Sequence, residues 1–415
     1  MTNATTEGSA TVRIERPAVG GGVAHAPDGR VTFVRGALPG ELVEASFLAG
    51  TTAFARGVAG RVIEPSPQRV APPCAYAVAG GCGGCDLQHA DETLQRSWKA
   101  AVTHDQLRRI AGLDLDVAVT APPAPARASR TRLRCAVDRS GHLALRAWRS
   151  HRRVALDACW LLDDRASPAF ATTWSRARQV EVRAIGDGEP FAVVWPASGR
   201  GPYGADLAGR RLRTRPVSHV SVAEWDFTVG ATSFWQSHVD APALLVDRVL
   251  RASSVDPGDR VVDLFSGVGL FSVPLASRVG STGAVIAVES AGAAVADARR
   301  NAAAHPTVSV RRARVAPDLV EQIVLANDVV VLDPPRTGLP RGVAAAIARQ
   351  RPRRVVYVSC DAATLARDLT EFLAGGFVLV SLEILDLFPM TEHVELVALL
   401  DMPGSVMDSA TEGHG

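Results

Sequence analysis

The chain is 415 residues long, 47% apolar and 5% aromatic, and 45 basic against 43 acidic side chains give a formal net charge of +2. At about 150 residues per domain this length predicts about three domains, with ample chain for a buried core. The composition excludes wholesale disorder, the charge excludes a bulk polycation, and no apolar run approaches the roughly 18 residues of a membrane span. The opening MTNATTEGSATVRIERP has no apolar h-region, so we expect no secretory signal and a cytoplasmic chain.

Residues 11–65 read as short strands, TVRIERPA, VTFVRG, LVEASFLA and ARGVAGRVIE, with turns at Gly20–Gly22, APDGR and ALPGE. Short strands with Gly-bearing turns predict a small β-barrel over residues 1–66. The Pro-rich SPQRVAPPC ends that module. A cysteine cluster (Cys74, Cys82, Cys85) follows, then the helical pattern ADETLQRSWKAAVTHDQLRRIAG and the linker-like APPAPARAS. The central domain, residues 67–228, is Arg-rich and of mixed strand character. Lys99 is the sole lysine, so 44 of the 45 cations are arginines. Between Ala121 and Val220 stand 18 Arg against 8 Asp and Glu, a local balance of +10, which leaves −8 for the rest. Arginine forks suit phosphates and stack on bases, so this region is a candidate RNA-binding surface; an Arg-rich solvated surface is the bland alternative.

From about Val229 to residue 403 the pattern changes. DRVVDLFSG, GAVIAVES, NDVVVLDPPR, RRVVYVSC and FVLVSLEILDLF read as buried strands, alternating with helical GLFSVPLASR, AAVADARRNAAA and LPRGVAAAIARQ. Such alternation predicts an α/β domain: an open, mostly parallel sheet covered by helices. The small, polar residues 404–415 are expected to be a disordered tail.

Three features carry chemistry. In VVDLFSGVGLF a strand turns through Gly267 and Gly269 into a helix, which lets backbone approach a ligand at the carboxyl edge of the sheet. Glu289, about 20 residues on at the end of the next strand, is placed to take both hydroxyls of a ribose. G-x-G without a third glycine favours S-adenosylmethionine over a dinucleotide. The thiolates of Cys74, Cys82 and Cys85 need a fourth partner, and spacing alone leaves zinc and a 4Fe–4S cluster both open. Cys360 ends the strand RRVVYVSC before the helical DAATLARDL, where a helix N-terminus would lower its pKa.

CGGCDLQH, SFWQSH, DLFSGVGLF, LDPPRTGL, YVSCDAATLARDL and FPMTEHVE together resemble the iron–sulfur RNA uracil-5-methyltransferases of rRNA and tRNA, within the class I methyltransferases. Residues 11–65 resemble the TRAM domain that precedes the cluster in many members. The resemblance implies a class I (Rossmann-like) methyltransferase domain, an N-terminal OB-like barrel, and a central α+β region bearing the cluster. It implies S-adenosyl-L-methionine as methyl donor, held by Gln236, Phe265, Glu289 and Asp333. Cys360 would be the nucleophile and Glu395 the general base. It implies a 4Fe–4S cluster on Cys74, Cys82, Cys85 and Cys159, with Cys135 as the rival fourth ligand. The expected partner is RNA, 23S rRNA in preference to tRNA, with neither DNA nor membrane, and the protein is expected to be a monomer. Arg336 after the two prolines separates the chain from amine methyltransferases acting on adenine, which carry an aromatic residue there. Two positions depart from the family pattern, both near the cofactor pocket: His238 replaces an Asn, and Leu270 replaces another. The competing readings are an RNA-binding or RNP-assembly protein that keeps the fold without turnover, and a zinc-bearing methyltransferase acting on another base.

Overall fold

The computed structural model describes residues 6–48 and 54–404. Strands β1 (Thr6–Arg13), β2 (Arg16–Ala18), β3 (Gly21–His25), β4 (Val31–Arg35), β5 (Leu42–Leu48) and β6 (Phe54–Glu64) make one sheet in the order β1-β5-β6-β4-β3-β2. The chain runs from β1 through Ile14 and Glu15 into β2. Ile14 N–H donates to Glu41 and Glu15 N–H to Val23. The two edges of the sheet are therefore one bent segment, and the sheet curls around Val12, Ile14, Val34 and Val43. Only the start of the glycine run expected as a turn is one: Gly20, φ +90°, lies in the turn, whereas Gly21, φ +144°, and Gly22 already lie within β3.

Helix α1 (Glu92–Ala111) starts where Asp91 accepts the Leu94 N–H at 2.7 Å and stops at Gly112, φ +67°. The linker-like segment is anchored rather than free. Just before it, β7 (Val119–Thr120) pairs with the far edge of the C-terminal sheet, and within it Ala126 is buried and the Ala124 N–H donates to Asp240. Strands β8 (Arg132–Val137), β9 (Leu143–Arg146), β10 (Arg153–Ala155), β11 (Ala177–Arg183), β12 (Phe191–Pro196) and β13 (Tyr203–Ala205) form a second, antiparallel sheet in the order β10-β9-β8-β11-β12-β13. Its apolar face, including Leu133, Cys135, Val180 and Val182, packs on Phe170 and Trp174. The hairpin β14 (Val217–Val222) and β15 (Trp225–Gly230) leads into the last domain.

That domain runs α2 (Ala241–Ser253), β16 (Arg260–Leu264), α3 (Ser272–Val279), β17 (Ala284–Glu289), α4 (Gly292–Asn301), β18 (Val308–Arg312), α5 (Pro317–Ile323), β19 (Val329–Leu332), α6 (Val343–Gln350), β20 (Arg354–Ser359), α7 (Ala362–Ala374), β21 (Val378–Leu385) and β22 (Glu395–Asp401). The sheet order is β18-β17-β16-β19-β20-β22-β21-β7. The first five strands pair in parallel, and β22 inserts antiparallel between β20 and β21. Central strands buried on both faces explain the unbroken Val/Ile/Leu runs, and the core divides into layers above and below the sheet. Leu107 of α1 lies in the lower layer, so this helix packs with the C-terminal sheet although it precedes residue 229. Of the expected disordered tail, residues 405–415 lie outside the described residues. Among the described residues no helix is long and apolar enough to cross a membrane.

Candidate active site

The carboxyl ends of β16, β17, β19 and β20 open onto one cavity of about 940 Å³. In open α/β sheets ligands bind at this edge, outside the carboxyl ends of the strands where the strand order reverses. Gln236, Phe265, Glu289, Asp333, Cys360 and Glu395 all line it, so every residue expected to bind the methyl donor or to react stands around one space.

The turn after β16 shapes one end. Phe265 takes φ +65°, a left-handed conformation uncommon for a bulky side chain, followed by Gly267 at +55° and Gly269 at +89°. Glu289 is fixed by the Gly267 N–H at 3.1 Å and the Ala291 N–H at 2.6 Å. Gln236 Nε2 lies 3.5 Å from the Asp333 carboxylate. Beneath them Asp263, wholly buried, accepts the Ser272 hydroxyl through Oδ2, while its Oδ1 has no partner. Burial pushes the Asp263 carboxyl up to about 7, and burial together with the Asp263 charge raises Asp333.

At the other end stand Cys360, after β20, and Glu395, the first residue of β22. The expectation of a helix-activated thiol does not hold for the free protein. Asp361 is the N-cap of α7 and takes the Thr364 N–H at 2.9 Å, so a carboxylate and not the thiol meets the helix end. Burial and then the charge of Glu395 push the Cys360 thiol up to about 11, against the pull of Arg336. Glu395 is itself raised well above the carboxylate range by burial and Asp333, again with Arg336 opposing. Burial thus disfavours the charged forms of both Cys360 and Glu395, and the Arg336 charge opposes it at each. Sequence reasoning used Arg336 only to classify the motif and missed this role. It also missed Arg132 and Arg314, which come from segments outside the motifs, and Phe388, which opens FPMTEHVE, as lining residues.

Of the two departures from the family pattern, Leu270 lines the cavity but His238 does not. His238 is buried in a neighbouring hollow against Ser129, Leu387 and Phe388. Its Nδ1 accepts the Asp240 N–H at 3.1 Å, and its Nε2 has no partner. Of the two positions expected near the cofactor pocket, only Leu270 therefore lies on its wall.

Cys74, Cys82, Cys85 and Cys159 line one small hollow between the central sheet and the segment that follows the curled sheet. The Gly84 N–H donates to Cys82 Sγ at 3.4 Å. Cys135 is wholly buried in the central core, outside that lining. Among the described residues, no group of three or more His, Cys, Asp or Glu side chains is arranged to hold a single metal ion.

The tRNA (uracil-5-)-methyltransferase family model matches residues 218–402. The chain is 38% identical to an uncharacterised RNA methyltransferase of Streptomyces coelicolor, over 91% of this chain and 89% of that one. It is 34% identical to the 23S rRNA (uracil(1939)-C(5))-methyltransferase of Halomonas elongata, over 93% of this chain and 88% of that one. Its fold matches the crystal structure of Pyrococcus abyssi tRNA (uracil-54, C5)-methyltransferase in complex with S-adenosyl-L-homocysteine. That match has a TM-score of 0.68 and 23% identity, and covers 94% of this chain and all of the other. The similarity runs almost end to end and includes every cavity-lining motif, so the chain belongs to the RNA uracil-5-methyltransferase family.

Proposed function

We propose that the protein transfers a methyl group from S-adenosyl-L-methionine to carbon 5 of a uridine in RNA through a covalent bond between Cys360 and carbon 6. The observation that carries this reading is the convergence of Cys360, Glu395, Arg336 and Asp333 with the Glu289 and Phe265 turn on one cavity. Carbon 5 of uracil is a poor nucleophile. Addition of the Cys360 thiolate to carbon 6 makes carbon 5 enolate-like, and the sulfonium then supplies the methyl group, leaving the thioether. Glu395 takes the carbon 5 proton, and the carbon 6–sulfur bond breaks to return the thiolate. Burial pushes the Cys360 thiol up to about 11 and raises Glu395, and Arg336 works against both shifts, favouring the thiolate and carboxylate that the reaction needs. Gln236, Phe265, Glu289 and Asp333 would hold the methyl donor.

Full-length relatives at 33–34% identity are described as 23S rRNA (uracil(1939)-C(5))-methyltransferases, which favours large-subunit rRNA over tRNA as substrate. We read the curled N-terminal sheet as the TRAM-like module and the Arg-rich central sheet as its companion on RNA. We read Cys74, Cys82, Cys85 and Cys159 as the ligands of a 4Fe–4S cluster; their shared hollow supports that reading. The cluster's role would be structural, since methyl transfer needs no redox step.

The test uses RNA carrying 5-fluorouridine, whose fluorine cannot leave as a proton does. Wild-type protein should form a denaturant-resistant adduct with it, and Cys360→Ala should not. Glu395→Gln should stall on ordinary RNA after methyl transfer, still joined through Cys360. An adduct formed by Cys360→Ala would defeat the mechanism. Nucleoside mass spectrometry of rRNA and tRNA from a deletion strain identifies the substrate.

A further inference from the structure

Apart from Arg132 at the cavity wall, the second face of the central sheet has no part in the chemistry above. Alternation along β8 sends Leu133, Cys135 and Val137 into the core and Arg132 and Arg134 to the opposite side. Across the register Arg134 pairs with Glu181, and Arg132 with Arg183, so all four side chains share that face. Glu181, 2% exposed, organises it. It accepts from Arg134 Nε at 2.8 Å and Arg183 Nε at 2.7 Å, and lies 3.7 Å from Arg132. Arg183 is buried and spends its other donors on the Gly230 and Ser233 carbonyls.

Arg132 and Arg134 also place their guanidinium groups over aromatic rings. Arg132 sits 4.5 Å from the Phe234 ring centroid, and Arg134 sits 4.3 Å from that of Trp195. The first pair lines the cavity that holds Cys360. The second lies outside it, two residues along the strand. Trp195 is packed against Phe191, Val193 and Ala231, and the Arg134 side chain is 53% exposed, so the guanidinium is the open surface of the pair. Positions two apart on a strand are separated by roughly 6.7 Å. That is about twice the 3.4 Å step of stacked bases in a duplex strand, so the spacing suits bases pulled out of their stack.

We propose that the Arg134–Trp195 pair is a stacking platform for the RNA base that flanks the target uridine, a subsite outside the reaction cavity. The inference rests on the RNA uridine reading above. A planar cation backed by an indole attracts a base through its face and the adjoining phosphate through charge. It would hold the neighbouring nucleotide while the target is flipped into the cavity, a step that itself costs a few kcal/mol.

The experiment measures binding of the full-length protein to a fluorescent single-stranded oligouridine, alongside one carrying a single 2-aminopurine. Stacking of a base contributes about 1–3 kcal/mol, so Arg134→Ala, which removes the surface a base would meet, should weaken binding about 5- to 150-fold. It should also change the 2-aminopurine fluorescence of the complex and flatten the slope of log affinity against log salt by about 0.7. Trp195→Ala, which removes only the backing of the guanidinium, should lose part of that affinity with no change in slope, because no phosphate contact is lost. Trp195→Phe should retain most of the affinity, which separates stacking from misfolding. Unchanged affinity and fluorescence in Arg134→Ala would overturn the platform alone. Failure of wild type to bind the oligomer would overturn the RNA reading with it.

Discussion

Lys99, the sole lysine, is wholly buried at the heart of the molecule, on α1. Its ammonium is hydrogen-bonded to Asp386 and donates to the Phe388 carbonyl at 2.9 Å. Burial pulls it below the usual lysine range, with Asp386 opposing. Replacing it, as Lys99→Met, keeps the volume but strands a carboxylate that is 5% exposed. Breaking one partner of a buried pair costs about 3–5 kcal/mol. A second route to that figure gives it a pH signature. The stranded carboxyl escapes by taking a proton, and protonating an ordinary aspartate costs about 4 kcal/mol at pH 7 but only about 1.5 kcal/mol at pH 5, at 1.36 kcal/mol per pH unit. The destabilisation of Lys99→Met, measured by urea unfolding, should therefore be about 4 kcal/mol at pH 7 and fall by more than half at pH 5. Lys99→Met combined with Asp386→Leu should recover most of it, since a pair of matched apolar residues leaves no buried charge. Equal losses at the two pH values, or a double variant no better than the single, would refute the reasoning.

Asp263 is held up at about 7, and Asp333 is raised with it. Carboxyls raised on folding stabilise the free protein fully below about pH 4, and that contribution is lost as pH rises through about 7. A sulfonium beside them favours the ionised forms. The preference for S-adenosylmethionine over S-adenosylhomocysteine should thus grow between pH 6 and pH 8 in calorimetric titrations, and a constant ratio would count against it. Protein purified without air should be brown and carry about four irons, the stoichiometry of a 4Fe–4S site. Cys159→Ser should lose the colour and Cys135→Ser should keep it, whereas stoichiometric zinc in colourless protein would reject the cluster. Met390, 7% exposed, packs against Leu161 and the cysteines Cys85 and Cys159. Met390→Ala should cost about 2–5 kcal/mol by urea unfolding, and a loss under 1 kcal/mol would mean that contact is loose.

The strands that carry the site were legible because they are buried on both faces, which leaves an uninterrupted apolar signature ending at a chemical residue: Asp263, Glu289, Asp333, Cys360. The edge strand β18 was not, because its sequence VSVRR faces solvent and lacks that run. Nor was β7, two residues that join a sheet edge formed some 260 positions later, a pairing with no local pattern to betray it. The pKa of Cys360 was misread for a related reason. The helix that follows it is a local feature, but burial and Glu395, 35 residues downstream, are tertiary ones and prevail. The alternation that sends Arg132 and Arg134 to one face is visible in RLRCAV. Their aromatic partners Phe234 and Trp195 are not, because other elements supply them.

The segment between β21 and β22, which ends at Glu395, shows what the N-terminal half does for the chemistry. It is held from three sides. The Gly20 N–H of the curled sheet donates to Glu392 at 2.6 Å. The Asp86 and Leu87 N–H groups, next to Cys85, donate to the Met390 carbonyl at 2.9 and 3.0 Å. From α1, Gln95 accepts the Met390 N–H at 2.9 Å, and Lys99 grips Asp386 and Phe388. Met390 takes a left-handed φ of +64°, a conformation that costs about 1–3 kcal/mol and persists only where the surroundings over-determine it. Both of its backbone polar groups are turned toward the N-terminal half and none toward the catalytic sheet. The path to Glu395 thus runs over a strained residue whose geometry is enforced by the cysteine segment and α1. Loosening those contacts would let Met390 relax and would shift the start of β22, while leaving Cys360 undisturbed on β20. Cys360 is positioned at the end of β20 within the C-terminal sheet, and Glu395 by the closure of the whole chain upon that sheet.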